Sequence, residues 1–284
     1  MIQLLAIDCT FGGFFNLVKA LNLKTPTRGV VRQTDKKNMH LLCDCEIGWD
    51  KVKDEESIII GSNALYEIHK KITKKITLII TDSFYLENHK EVNQIIKDRN
   101  INVFTMVDKG HLIDVELKPF FQPFDLSQTE IIKNNILTVC HSPWSEHKRK
   151  TKGSYKILES VSKFNVDYVE ILGKSWHECL LEKAKSHIFI DQLVAQDNYI
   201  GGLGKSGLEA MLLKCVVLTS GEYIENDYIE EPPVVWINGN NIEAKLKELI
   251  ENKGLREEII NEQYEWAKKY TSYEFVANYI LNTK

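Results

Sequence analysis

Residues 190–220 read IDQLVAQDNYIGGLGKSGLEAMLLKCVVLTS, and this stretch decides the fold. The apolar run HIFI, ending at Ile190, is a strand. It delivers the chain into a loop carrying Gly201, Gly202, Gly204 and Gly207. The loop turns into a helix, and the helix feeds a second apolar strand, CVVLTS. Strand, helix and strand in this order form a parallel unit. Glycines let backbone amides approach a ligand with no Cβ in the way. A helix N-terminus adds unpaired N–H groups and a positive dipole end, which suit phosphate.

The same rhythm extends in both directions. Upstream, MIQLLAID, RGVVRQ, SIIIG, ITLIITD and NVFTMVD read as strands, and the helical patterns FFNLVKALNL, ALYEIHKKI and NHKEVNQIIKDRN fall between them. Uniformly apolar strands imply a sheet covered on both faces, with ligands beyond the carboxyl ends of the strands. That puts the loops after Asp8, Asp82 and Asp108 on one rim. ELKPFFQPFDLSQTEII, with its prolines and turn residues, breaks the rhythm and reads as a linker. The pattern then restarts through NNILTVCHSP, GSYKILESVSKF, DYVEILGK, HECLLEKAK and SHIFIDQL. It continues past the glycine loop to PPVVWIN and ends in helices from Ile242 onward. The expectation is two Rossmann-like α/β domains, 1–125 and 126–265, with a cleft between them.

The 284 residues suffice for two cores, and 43% hydrophobic with 27% charged is globular composition. No run approaches the roughly 18 apolar residues of a membrane span. MIQLLAIDCT reads as a first strand and not as a signal peptide. The six cysteines are scattered and read as small buried hydrophobes of a reducing compartment, so the expected location is cytoplasmic. Cys43-Asp44-Cys45 lacks zinc-site spacing. A net charge of −4 gives no global attraction to nucleic acid, and Lys70–Lys75 and His147–Lys152 are the notable charge runs.

Two motifs overlap in the glycine loop. GLGKS invites a Walker A reading, but the glycine required five residues before Gly204 is Tyr199. Ser206-Gly-Leu-Glu209 fits a helix capping box, in which Ser206 accepts from the Glu209 amide and the carboxylate reaches back. Alternatively, a carboxylate one turn into a phosphate-binding helix can accept from the two cis hydroxyls of a ribose. A diphosphate on the glycine loop and a ribose on Glu209 would together describe a sugar nucleotide.

From about Ile136 onward the chain resembles the nucleotide-binding half of GT-B glycosyltransferases, in particular the retaining family four (glycosyl transferases group 1). The resemblance rests on CHSPWSEHKRKTKGSYKILESV, EKAKSHIFIDQL and GGLGKSGLEAMLLKCVVLTS, with the closing helices YEWAKKYTSYEFVANYIL. It implies an α/β GT-B architecture, with parallel sheets of two domains facing a central cleft. A final helix, 266–284, is implied to cross back to the N-terminal domain.

The resemblance also implies roles. Lys152, of the Lys-Gly step, matches the residue that neutralises the donor diphosphate, and Arg149 matches its companion. Gly204, Ser206 and Gly207 match the phosphate-facing loop and helix end, and Glu209 matches the ribose-binding residue. Gly12 and Gly13 match a first-domain loop over the donor. The catalytic candidates are Lys152 and Asp108, the latter in VFTMVDKGH, with His111 in reserve. Eight residues before Glu209 the family carries a sugar-contacting Glu, where this chain has Gly201. Asp191, Gln192 or Asp197 could supply that contact. His141 and Trp176 are further candidates for sugar or base contacts, although each could equally be core.

The implied activity is a hexosyl- or pentosyltransferase that uses a UDP- or GDP-sugar as co-substrate. It would need no cofactor, and no metal, since no Asp-x-Asp motif is present. Retention at the anomeric carbon follows from the family. The acceptor would be a glycan, a lipid-linked sugar or a modified base in DNA, the last making nucleic acid a partner. Gly201 supports an alternative: an inactive GT-B-like protein or subunit that binds nucleotide sugars.

Overall fold

The computed structural model describes residues 1–7, 13–32, 45–81, 84–105, 116–193, 202–221 and 229–283. It divides into two compact units. One holds Met1–Phe124, Asn226–Ile229 and Thr271–Lys284; the other holds Asp125–Glu225 and Glu230–Tyr270.

In the first unit, β1 (Ile2–Ala6), β2 (Thr27–Val31), β3 (Cys45–Ile47), β4 (Glu56–Ile60), β5 (Ile76–Ile80), β6 (Asn102–Thr105) and β7 (Leu117–Pro119) form one sheet. Their order is β3-β2-β1-β4-β5-β6-β7, and each neighbouring pair is parallel. Parallel strands require crossovers, which include α1 (Gly13–Asn22), α2 (Ser62–Ile68) and α3 (Phe84–Arg99). Leu5, Ile59 and Leu78 pack with Leu65, Val92 and Ile96 of the helices to make the core. Gln3 is the polar exception in β1. It is fully buried and matched on every side, donating to Ser57 Oγ at 2.8 Å and accepting from Arg28 at 2.7 Å.

The expected linker is corrected in its first part only. Leu117–Pro119 adds the edge strand β7, and Phe120, Phe121 and Phe124 beyond it are buried, while the boundary between the two units falls inside the segment, at Phe124 and Asp125. Proline is tolerated on an edge because its missing N–H has no ladder bond to make. β3, whose residues are partly exposed, was also not anticipated.

In the second unit, β8 (Thr138–Trp144), β9 (Asp167–Leu172), β10 (Ile188–Gln192), β11 (Val216–Thr219) and β12 (Val235–Trp236) are all parallel, in the order β12-β11-β10-β8-β9. The helices are α4 (Glu146–Thr151), α5 (Ser154–Val161), α6 (Trp176–Lys185), α7 (Lys205–Leu212), α8 (Ile242–Glu251) and α9 (Lys253–Tyr270). The chain leaves β8 to one side for β9 and returns to the other side for β10. This reversal opens a crevice at the carboxyl ends of β8 and β10, where doubly wound sheets bind ligands. β12 is short, and the buried amide of Gln263 bonds the Val217 N–H (2.8 Å) and C=O (3.1 Å) in place of a longer partner strand.

The last helix, α10 (Tyr273–Asn282), belongs to the first unit. Tyr273 donates to Asn16 of α1 at 2.9 Å, and Tyr279 meets Phe104 of β6 edge to face at 5.5 Å. No helix of the described residues is long and apolar enough to cross a membrane.

Candidate functional site

The crevice between β8 and β10 gathers most of the expected residues of the second unit. The pairing of β10 with β11 shifts register between Ile190 and Gln192, so Asp191 is the extra residue of a bulge. Bulges re-aim side chains. The Asp191 carboxylate, 1% exposed, accepts from Lys152 Nζ at 3.0 Å through one oxygen and from the Gly204 amide at 2.8 Å through the other. Gly204 is the N-cap of α7, so the carboxylate sits on the positive end of that helix. Gln192 donates to the Gly202 carbonyl at 2.7 Å, and Thr219 donates to the same oxygen at 2.9 Å. Both pin the described part of the glycine loop to the strand ends. At Gly204 a Cβ would stand 3.0 Å from Asp191 Oδ2; at Gly207 it would stand 2.6 Å from Leu203 Cδ1. The glycines thus allow the close approach.

Lys152 is delivered by a local device. The charge run His147–Lys152 lies on and just after α4, which has Ser145 as N-cap, Glu146 in the first turn and Lys148, Arg149 and Lys150 in the last. That charge order suits the helix dipole. Lys152 is the C-cap, and Gly153 follows with φ of 69°. The left-handed turn lets the Lys152 carbonyl accept from Leu193 N–H at 2.9 Å, which ties the lysine to the end of β10. Arg149 lies differently. Its guanidinium forks over Glu170 at 2.8 and 2.9 Å and reaches Glu146 at 3.0 Å. The hydrogen bonds it donates to these carboxylates raise its pKa above the usual arginine value.

His141 lies beneath, fully buried. Nδ1 is 2.7 Å from the Ile190 carbonyl, which can only accept, so Nδ1 carries the proton. Nε2 then accepts from Ser154 Oγ at 2.8 Å. Burial first, and Lys152 second, push its pKa down to about 4. His141 therefore serves as a neutral strut between β8, β10 and α5.

Glu209 corrects the capping-box reading. α7 begins at Lys205 with Gly204 as N-cap, so Ser206 is already inside the helix and caps nothing. A capping box forms instead at the start of α6, between Ser175 and Glu178. The Glu209 carboxylate, 3% exposed, accepts from Trp176 Nε1 at 2.7 Å through Oε1 and from Lys183 Nζ at 2.6 Å through Oε2. Lys183 also donates to Ser206 Oγ at 2.7 Å, and Lys205 Nζ stands 3.7 Å from Oε1. Burial acts to raise the Glu209 pKa. Lys183, Lys205 and the two hydrogen bonds outweigh it and hold the carboxyl below the usual range. Trp176, half-buried, packs against the cluster of Leu180, Ala184 and Leu213, and its indole N–H is taken up by Glu209.

Lys183 escaped the sequence reading because EKAK looks like a solvated face. A signal was present: Lys183 falls on the face of α6 that buries Leu180 and Ala184. Gly13 opens α1 in the first unit. Gly12, Asp108, His111, Asp197 and Gly201 lie outside the described residues. Among the described residues no cluster of three acidic, His or Cys groups is placed to hold a metal.

The whole arrangement has the GT-B fold, two parallel α/β sheets in one chain. No protein-family model and no curated protein sequence matches the chain. Its likeness is to solved structures. HepE of Anabaena, in complex with UDP and glucose, superposes with a TM-score of 0.70 at 10% identity, covering 100% of this chain and 99% of that one. Sucrose-phosphate synthase of Thermosynechococcus elongatus gives 0.69 at 7% identity, covering 99% and 97%. A glycosyltransferase of Rickettsia africae gives 0.61 at 11% identity, covering 100% and 99%.

Proposed function

We propose that this protein is a retaining glycosyltransferase that moves a sugar from a nucleoside-diphosphate sugar to an acceptor hydroxyl without a metal ion. The observation that carries the reading is the arrangement along α7. A cation, Lys152, and a helix N-terminus stand at the β8–β10 crevice. A helix rises about 1.5 Å per residue, so Glu209 lies about 7 Å further along. Diphosphate and ribose of one nucleotide need two sites so spaced. The resemblance of residues 136–284 to family four, and the likeness to structures that hold UDP or UDP-glucose, support the same reading.

In the transfer, the bond from the anomeric carbon to the β-phosphate oxygen breaks and leaves its electron pair on the phosphate. The acceptor oxygen bonds the anomeric carbon and gives up its proton. Lys152 and the amides at the start of α7 meet the charge that develops on the leaving group. For this, Lys152 must exchange Asp191 for phosphate. Asp108, with His111 in reserve, remains the candidate to receive the proton, and Gly12 and Gly13 to cover the donor.

A second reading is favoured by Gly201 and by the Asp191–Lys152 pair: a protein that binds nucleotide sugars and does not turn them over. The experiment is to follow release of nucleoside diphosphate from a panel of UDP- and GDP-sugars with EDTA present. Turnover supports the enzyme; saturable binding without release supports the second reading. Strict dependence on a divalent ion contradicts the proposed metal-free chemistry.

A further inference from the structure

We propose that Lys183 is the positioning residue for Glu209, holding its carboxylate ionised and turned so that one acceptor direction on each oxygen is kept for a ribose hydroxyl. The inference rests on the nucleotide-sugar reading above.

A carboxylate has about four acceptor directions, two on each oxygen. Lys183 takes one on Oε2 at 2.6 Å and Trp176 takes one on Oε1 at 2.7 Å. Two directions are left, one per oxygen, and the cis hydroxyls of a ribose are a matched pair of donors. Lys183 is 1% exposed. Its second bond, to Ser206 Oγ, and its place over the Phe189 ring at 5.1 Å fix its head. A buried carboxylate without a cation neutralises itself, and a neutral acid loses one acceptor to its own proton. The charged and titratable groups that bear on Glu209 are Lys183 and Cys179 from α6 and Lys205 from α7. Lys205 stands at 3.7 Å, beyond hydrogen-bond reach. Lys183 is therefore the cation that touches and orients the carboxylate and acts most strongly on its charge, with Lys205 adding to that charge effect from 3.7 Å.

The test is isothermal titration of the full chain with UDP and GDP, then with the 2′,3′-dideoxy form of whichever binds more tightly. In the wild type the dideoxy form should bind at least about tenfold more weakly, the loss of charge-assisted hydrogen bonds. In K183M that ratio should fall toward one at pH 7 and recover by pH 9 as Glu209 ionises. K183R should keep the wild-type ratio at both. A purely structural lysine would not give a ratio that returns with pH. A ratio unchanged in K183M, or near one in the wild type, overturns the inference and leaves the nucleotide-sugar reading standing. Binding of neither nucleotide overturns both. If K183M does not fold, E209Q under the same titration must lower the ratio, and an unchanged ratio overturns the inference.

Discussion

Lys152 Nζ lies 3.0 Å from Asp191 Oδ1, and the other oxygen of that carboxylate accepts the Gly204 amide at 2.8 Å. One internal anion thus holds the cation and the helix amide that a donor diphosphate would use. D191N removes the charge and keeps an acceptor for the amide. It should bind UDP or GDP more tightly, by up to about fivefold, the size of an ion pair worth about 1 kcal/mol removed as competitor. K152A should bind either nucleotide more weakly and slow any sugar transfer by about 100-fold. Calorimetry on both variants checks this, and weaker binding by D191N would show that Asp191 helps to hold the ligand.

Gly153 should tolerate no side chain. Its φ is 69°, and a Cβ there would overlap the Leu193 carbonyl oxygen, which is backbone and cannot swing away. G153A should lose more than about 2 kcal/mol of stability, measured by urea unfolding. It should also displace Lys152 from β10, so nucleotide binding falls with it.

His141 gives a pH dependence with a definite sign. Its folded pKa, about 4, lies below the ordinary value of 6.5. The unfolded chain therefore binds the extra proton between those values. The stability that neutral His141 contributes is complete above about pH 6.5 and is lost as pH falls toward 4, in all about 3 kcal/mol. NMR titration of the ring should show no protonation at pH 5.5; a midpoint near 6.5 would refute the buried strut.

The Lys183–Glu209 pair predicts strong coupling. Removing one partner leaves a buried charge uncompensated, so K183A and E209A should each cost about 3–5 kcal/mol. The double variant should cost clearly less than the two together, which a double-mutant cycle by chemical denaturation measures.

The strands that position this site were legible because parallel strands covered on both faces are continuous apolar runs. ITLII and the IFI of HIFI are such runs, and both are buried throughout. β3 and β7 were not legible, since an edge strand of three residues needs neither an apolar run nor freedom from proline. Within the site, the loop glycines, Lys152 and Glu209 stand out as residue types in a pattern. Their partners do not. Trp176 and Lys183 lie 33 and 26 positions from Glu209, and Asp191 lies 39 from Lys152. Such pairs are made by packing α6 on α7 and α4 beside β10, and no local spacing records them. Ser206 misled for a related reason: a capping box and an interior helical serine share the same four letters, and the position of Gly204 decides between them.

The most direct test of the central claim is release of nucleoside diphosphate from UDP- and GDP-sugars by the wild type, K152A and E209A in EDTA. The account predicts that at least one donor is bound saturably and turned over by the wild type. K152A should lose turnover and E209A should lose donor affinity. Equal behaviour of all three proteins, or no binding of any nucleotide sugar, would contradict it.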